Sequence, residues 1–485
     1  VVVPLMAAPV CVLIGGAERA WRLATAVSWV AFLIATVLLS QVIDGGFISY
    51  ELGGWAAPWG IEYRVDALDA FVLVLVSGTS ALTLLFARDS VTRDVAENRR
   101  DLFYTAWMLC LTGLLGITIT GDAFNVFVFL EISSLSSYTL IALSQQPRAL
   151  LASFRYLIMG TVGATFILIG IGLLYMMTGT LNMADLAARL PAVMHTHSVR
   201  AAFGLLTVGL ALKIAIFPMH HWLPEAYTRA PAAVTVFFSA TSTKVALYVL
   251  IRFFYDVFGP EYTFEVLELG RLLLPLALLG IVVATLVAIY QDDVRRLFAW
   301  SSVAQLGYMT LALSTATGAG LTAGLVHLFN HALMKAAIFL AIGCVAYRIG
   351  PVTIGSMAGL GRRMPWTIGG LVIGCLSLVG VPMTAGFISK WYLLVAVLER
   401  GWWPVAGLVV LTSLLAAVYV WRVLGSAYFG EPNPDTIQAK AHEAPWLMLV
   451  PLWVLALANL WFGVETSLSV GVPALVAETL FGGTP

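Results

Sequence analysis

Charge is scarce in this chain. Of its 485 residues only 11% are Asp, Glu, Lys or Arg, where a soluble domain carries about 25%. The formal net charge is zero, so the basic surface that nucleic acid needs is missing and no nucleic-acid partner is expected. Cysteine is scarce too. Cys11, Cys110, Cys344 and Cys375 lie far apart in apolar runs, with no CxxC and no metal spacing, and read as small core residues. A P-loop, a GxGxxG, an HExxH and an iron–sulfur pattern are all absent. No cofactor and no metal centre is expected, and any redox chemistry of a larger machine would sit on other chains.

Hydrophobic residues make up 60% of the chain, and runs of about 20 apolar residues recur along its length, each long enough to span a bilayer. The runs are continuous rather than alternating, which excludes barrel strands and leaves helices. The expected fold is an all-α integral membrane protein of about fourteen transmembrane helices. The expected spans are 1–17, 24–42, 67–87, 102–120, 122–143, 154–178, 200–218, 231–251, 270–290, 297–316, 320–347, 367–399, 402–429 and 445–464. The first run lacks a small-residue cleavage site and reads as a span, not a removed signal. The stretches 44–66 and 181–198 read as interfacial loops. The apolar tail 466–482 reads as short and lying along the surface.

Fifteen Lys and Arg residues fall in loops after odd-numbered spans and six in loops after even-numbered ones. The positive-inside rule then puts the odd loops in the cytoplasm and both termini outside, in the cell's inner (plasma) membrane.

Two spans look interrupted. The twelfth, at thirty-three residues, would extend about 50 Å as one helix, against roughly 30 Å of hydrocarbon. It contains Val-Pro-Met-Thr-Ala-Gly at 381–386; Pro382 removes a donor and Gly386 loosens the backbone, so a break is expected there. The seventh ends in Ile-Phe-Pro-Met-His-His-Trp-Leu-Pro at 216–224. Two broken helices five spans apart predict two inverted five-helix repeats, a transporter pattern. The single polytopic domain divides into helices 1–3 (1–90), a first repeat (102–256), a second repeat (266–429), and helix 14 with its tail (445–485).

The lysines are segregated. There are five, against twenty-one arginines, and four (Lys213, Lys244, Lys335 and Lys390) lie in spans; only Lys440 is in a loop. Of the arginines, only Arg422 falls well inside a span. An amine can release its proton in an apolar setting, whereas a guanidinium stays charged. Each buried lysine costs roughly 2.5–3.5 kcal/mol on insertion scales, and four cost on the order of 10 kcal/mol. Snorkelling is the bland alternative, strongest for Lys213 near its helix end. Glu131 is the only acid near the middle of a span. His327, His331 and Lys335 stand at i, i+4 and i+8 of the eleventh span, one above another on a face, a column suited to a proton relay. Metal ligation by the two histidines would need further ligands that the sequence does not place. Ser301, Ser302, Gln305 and Tyr308 in the tenth span are positioned to hold water between such groups.

These residues resemble a family. Gly-Asp-Ala-Phe-Asn-Val-Phe-Val-Phe-Leu-Glu at 121–131, Pro-Met-His-His-Trp-Leu-Pro-Glu-Ala-Tyr at 218–227 and Ser-Thr-Lys-Val-Ala-Leu-Tyr at 242–248 look like motifs of the antiporter-like subunits. That family is shared by respiratory complex I, membrane-bound hydrogenases and multi-subunit Na+/H+ (Mrp) antiporters. So do Gln-Asp-Asp-Val-Arg-Arg-Leu-Phe-Ala-Trp-Ser-Ser-Val-Ala-Gln-Leu-Gly-Tyr at 291–308, the most specific match, His-Leu-Phe-Asn-His-Ala-Leu-Met-Lys at 327–335 and Ala-Gly-Phe-Ile-Ser-Lys at 385–390. The resemblance implies that Glu131 pairs with Lys213, and that protons pass through Lys244, the His327/His331/Lys335 column and Lys390. It also implies other membrane subunits as partners, protons as cargo, and Na+ as a second candidate. Gly-Gly-Trp at 53–55 and Trp-Gly-Ile-Glu-Tyr-Arg-Val-Asp at 59–66 are most like the D-type member of the cation/proton antiporters. The same module driven by a hydrogenase or a quinone-linked oxidoreductase is one alternative, and a non-conducting scaffold subunit is another.

Overall fold

The computed structural model describes residues 1–44, 46–431 and 441–481; Lys440 lies outside them. Within these residues the chain forms twenty α-helices. They are α1 (Val2–Leu13), α2 (Ala17–Val42), α3 (Ala67–Asp94), α4 (Arg100–Ile119), α5 (Ala123–Ala142), α6 (Ala149–Thr178) and α7 (Met183–Arg189). There follow α8 (His197–Ile214), α9 (Trp222–Arg229), α10 (Ala232–Ala240), α11 (Ser242–Ile251), α12 (Leu269–Ile289), α13 (Val294–Ser314) and α14 (Gly318–Ile349). The last six are α15 (Leu360–Arg363), α16 (Pro365–Val379), α17 (Ala385–Glu399), α18 (Trp403–Phe429), α19 (Trp446–Trp461) and α20 (Gly471–Phe481).

The chain is a multi-pass membrane protein. Ten helical segments among the described residues are long and apolar enough to cross a bilayer, Ala232–Val257, which runs through α10 and α11, counted as one. The other four expected spans correspond to α1, α13, the α16/α17 pair and α19, which length and apolarity alone do not qualify. Side-chain oxygens start many helices. Asp122 caps α5 at the Asn125 amide, Asp293 caps α13 at the Arg296 amide, and Thr317 caps α14 at the Gly320 amide. The thirty-two-residue α14 runs through the middle, 89% of its most apolar stretch buried, whereas α2 at the rim is only 28% buried. Rim helices expose Leu33, Val37, Phe154, Ile158, Leu411 and Leu414, which lipid tolerates and water would not.

The loops separate cleanly into two ends. Bridges from Tyr63 to Thr120 and from Asp122 to Asn182 join loops that follow even-numbered spans. Bridges from Val95 to Ser144 and from Asp293 to Thr353 join loops that follow odd-numbered ones.

Both expected interruptions are present. The helix α8 stops at Ile214, Ala215 turns left-handed at φ 66°, and the chain resumes as α9 at Trp222. The Trp222 indole donates to Leu212 O at 2.9 Å across the gap. The helix α16 ends at Gly380, φ 89°, and α17 starts at Ala385. The second break, residues 380–384, thus falls on the expected 381–386 motif and includes Pro382. Gly386 sits inside α17, where its role is close approach to the end of α16 rather than backbone looseness.

Two expectations need correction. The eighth span is not continuous: Thr241, at φ −123° and ψ −59°, separates α10 from α11. The stretch 44–66 holds a short antiparallel hairpin, Ile48–Glu51 against Glu62–Val65, and 181–198 holds α7, because interfacial backbone still needs hydrogen-bond partners. The tail forms a helix, α20, that packs one face on α3 and α14, burying Val472, Val476 and Ala477, with Phe481 meeting the Tyr255 ring at 5.4 Å.

A Cβ at Gly386 would lie 1.7 Å from Ser377 O. Gly386→Ala must therefore push α17 away from α16, an overpacking that costs about 1–3 kcal/mol. The purified protein is expected to melt several degrees lower, while Gly407→Ala, with nothing within 4 Å, leaves the melting temperature unchanged. An unshifted melting curve for Gly386→Ala contradicts this packing.

Candidate functional site

The helix α5 carries a serine run after Glu131. Ser133, Ser136 and Ser137 turn their hydroxyls back on their own helix, to Leu130 O, Ile132 O and Ser133 O, a common way to satisfy a hydroxyl in an apolar segment. Ser134 instead accepts from Lys213 Nζ at 2.7 Å. The same ammonium stands 3.6 Å from Glu131 Oε1, beyond hydrogen-bond length but within ion-pair range. Lys213 is in the last turn of α8, two residues before the left-handed Ala215, so the break fixes its height in the bundle. Tyr156 stacks on Trp222 at 4.1 Å, and Tyr138 meets Tyr156 edge-on at 4.7 Å, walling the pair with aromatic rings. A cavity of about 20 Å³, lined by Ser133, Ser134, Lys213 and Ser242 among others, has room for one water. Ser242 is two residues from Lys244.

Lys244 is 1% exposed. Its ammonium donates to Ser239 O, in the last turn of α10, and lies 3.4 Å from Thr243 Oγ1. The Thr241 break thus provides a buried acceptor for the lysine that follows it.

His327, His331 and Lys335 line one face of α14 and are all buried. The two imidazoles are 5.7 Å apart between centroids and nearly parallel, at 15°. Neither ring nitrogen of His331, nor Nε2 of His327, has a protein partner among the described residues. Lys335 Nζ donates to Phe298 O at 2.8 Å and to Ser301 Oγ, with the rings of Phe298 and Phe339 at 5.6 and 5.9 Å.

Lys390, in α17, reaches back across the break to Leu378 O at 3.0 Å and Val379 O at 2.8 Å. These are last-turn carbonyls of α16 without helical partners, and a cation there also suits the helix dipole. Gly380 makes room: a Cβ there would meet Lys390 Cδ at 2.9 Å. The Tyr308 ring bridges the groups, 5.6 Å from Lys390 Nζ and 6.0 Å from the His327 ring.

The tenth-span polar residues divide. Ser301 holds Lys335 directly, Ser302 bonds back to Phe298 O, and the Tyr308 hydroxyl turns away to Thr412 Oγ1 at 2.8 Å. Gln305 Oε1 is buried without a protein partner among the described residues. All seven residues singled out in the sequence lie inside the bundle, but among the described residues only Glu131 and Lys213 form an ion pair. No hydrogen bond links Lys244, Lys335 and Lys390 to one another among the described residues.

One polar cluster has no counterpart in the sequence-based expectations, which place Arg252 in a loop. The helix α11 instead widens into a π-helical stretch, Arg252–Val257, that carries Arg252 inside. Its guanidinium pairs with Asp66, with Asp69 at 2.6 Å and with Asp256 at 2.7 Å. Asp66 and Asp69 form the capping box that starts α3. That D-x-x-D spacing at the head of an apolar run is the signal available in the sequence.

The chain has relatives along nearly its whole length. The family model described as NADH:quinone oxidoreductase/Mrp antiporter, transmembrane, matches residues 120–416. The chain is 40% identical over 439 residues to the N subunit of the NADH-quinone oxidoreductase of Desulforudis audaxviator (strain MP104C), spanning 88% of this chain and 87% of that one. It is 31% identical over 461 residues to the D subunit of the Na(+)/H(+) antiporter of Bacillus subtilis (strain 168), spanning 94% and 91%. Its fold superposes on a chain of the Mrp complex from Dietzia sp. DQ12-45-1b with a TM-score of 0.90, at 26% identity, covering 99% of this chain and 96% of the other. On these matches, which run from the Glu131 helix past Lys390, the chain belongs to the NADH:quinone oxidoreductase/Mrp antiporter transmembrane family.

Proposed function

We propose that this chain is the proton-translocating subunit of a multi-subunit monovalent cation (Na+)/H+ antiporter, carrying protons through Glu131, Lys213, Lys244, His327, His331, Lys335 and Lys390. The observation that carries the reading is the Glu131–Lys213 ion pair at 3.6 Å, with Ser134 as a second seat for the same ammonium at 2.7 Å. Held by Glu131, the lysine charge is neutralised by its partner. Held by Ser134 alone, it is uncompensated and repels a second positive charge on Lys244. Shuttling between the two seats therefore acts as a switch on the next site. The unpartnered ring nitrogens of His327 and His331 suit an exchangeable relay better than a static packing role, since a buried polar group without a partner is costly.

The likeness to the antiporter relative of Bacillus subtilis and to the Mrp complex supports an antiporter as parent assembly, with further membrane subunits as partners. The 40% identity to an oxidoreductase relative favours a second reading, in which the same module is driven by redox chemistry on other chains. Iron–sulfur proteins copurifying with the complex would select that reading. The fourteen-span count and the inverted repeats, 102–256 and 266–429, belong to the proposal. They are supported by breaks at corresponding places, α8/α9 and α16/α17, five spans apart. So does the orientation in the cell's inner membrane, which rests on the fifteen-to-six distribution of Lys and Arg.

Two measurements test this. Glu131→Ala and Lys213→Ala should each cut proton-coupled transport in everted vesicles by more than about tenfold, and the double variant should be no worse than either, because members of one unit are non-additive. Simple addition of the two losses would show that they do not act as a pair. Single cysteines at positions 94, 148 and 362 should label from the cytoplasmic side and one at position 51 from outside; the opposite pattern reverses the assigned topology.

A further inference from the structure

The relay helix does not end at Lys244. Tyr248 follows at i+4 on the same face of α11 and Arg252 at i+8, where the π-helical stretch begins; they are 3% and 9% exposed. The Tyr248 hydroxyl donates to Asp69 Oδ1 at 2.5 Å. Arg252 donates to the same oxygen from Nη2 at 2.6 Å and from Nε at 3.2 Å. Asp69 therefore joins α11 to α3 at one buried atom. Beyond it opens a cavity of about 310 Å³ whose lining includes Glu62, Arg64, Asp66, Asp69, Arg252 and Asp256. Counting those six side chains, four carboxylates face two guanidinium groups, a formal excess of two negative charges that favours cations at the mouth. The cavity lies at the end of the bundle that carries the 44–66 hairpin and α7, since Gly121, Met183 and Ala184 also line it.

A buried arginine in a spanning helix is rare without a function. We propose that Tyr248, Asp69 and Arg252 form a port through which protons pass between Lys244 and this cavity. The inference rests on the relay reading above. In the structure the Lys244 ammonium is turned toward Ser239 O; its four-carbon stem lets it swing to the Tyr248 side, one helical turn of about 5.4 Å away. A proton leaving Lys244 adds to the Tyr248 oxygen as that hydroxyl gives its own proton to the Asp69 carboxylate. Tyr248 is neutral before and after, Lys244 ends as the amine, and Asp69 ends as the acid. Asp69 then releases the proton to water in the cavity. One proton moves and no electron does. Arg252 cannot give up its proton; it holds Asp69 against Tyr248 and keeps the carboxylates of Asp66 and Asp256 together.

The bland alternative is a clip that only fastens α3 to α11. Tyr248→Phe separates the two, because it removes one oxygen and keeps the ring that packs 5.4 Å from Arg252. In the full complex reconstituted into liposomes, Tyr248→Phe should lower proton-coupled transport more than about tenfold, in keeping with loss of a proton-transfer group. The solvent deuterium isotope effect should rise, and subunit content should match the wild type. Asp69→Asn should behave likewise, with part of the activity returned by Asp69→Glu. Lys335→Ala is measured beside them. If Lys335→Ala abolishes transport while Tyr248→Phe stays within twofold of the wild type, the port is wrong and the relay stands. A tenfold loss with an unchanged isotope effect also overturns the port, in favour of the clip. If Lys335→Ala too transports at the wild-type rate, the relay reading fails and the port with it.

Discussion

An ammonium group inside an apolar bundle needs oxygen, and the arrangement of this protein follows from where that oxygen comes from. In regular helices every backbone carbonyl is already committed, so a bundle of perfect helices has little to offer a buried lysine. Lys390 is satisfied by Leu378 O and Val379 O, freed because α16 ends at Gly380. Lys244 takes Ser239 O at the end of α10, where Thr241 interrupts the span. Lys213, beside the α8/α9 gap, takes Ser134 Oγ and the Glu131 charge. Lys335 has no break of its own. It draws on Phe298 O and Ser301 Oγ of the neighbouring α13. For Lys244 and Lys390 helix break and lysine are one feature: the break frees the carbonyl, and the lysine occupies it.

Acceptors of this kind are weak enough to be left. A carbonyl or hydroxyl can hold an ammonium donor, and a hydroxyl can also serve an amine that has given its proton away. A carboxylate partner binds the charge more firmly, and a buried ion pair is strongly destabilised when one member is removed. Only one of the four lysines has such a partner among the described residues. On the proposed relay, that asymmetry assigns the gate to Glu131–Lys213 and conduction to the others. The Arg252 cluster uses the opposite chemistry, a cation that never releases its proton surrounded by three carboxylates.

Much of this is legible in the sequence because its signals are local and strong. Pro382 and the Phe217–Pro218 segment announce interrupted spans, and the confinement of Lys213, Lys244, Lys335 and Lys390 to apolar runs announces the buried row. The i, i+4, i+8 spacing puts His327, His331 and Lys335 on one face, where the structure has them. What stays hidden depends on tertiary contacts. Thr241 interrupts a span without a proline or glycine, so nothing local marks it. Arg252 sits near a span end, where arginines usually reach the interface; only the approach of Asp66 and Asp69 from α3, about 180 residues away in sequence, keeps it inside. The seat of the tail is hidden for a similar reason, since its short apolar helix is held by α3 and α14 rather than by its own length.

If the bundle conducts protons, its lysines exchange them rather than merely hold charge. The scarcity of lysine makes this directly measurable, because ¹⁵Nζ-lysine labelling of the chain gives only five side-chain signals, assignable by one-at-a-time Lys→Gln substitution. Solid-state ¹⁵N spectra of the membrane-embedded complex, recorded across the neutral pH range, should show neutral-amine resonances alongside ammonium ones for the four buried lysines. Four buried lysines that remain ammonium throughout would show that they hold charge and do not pass protons on.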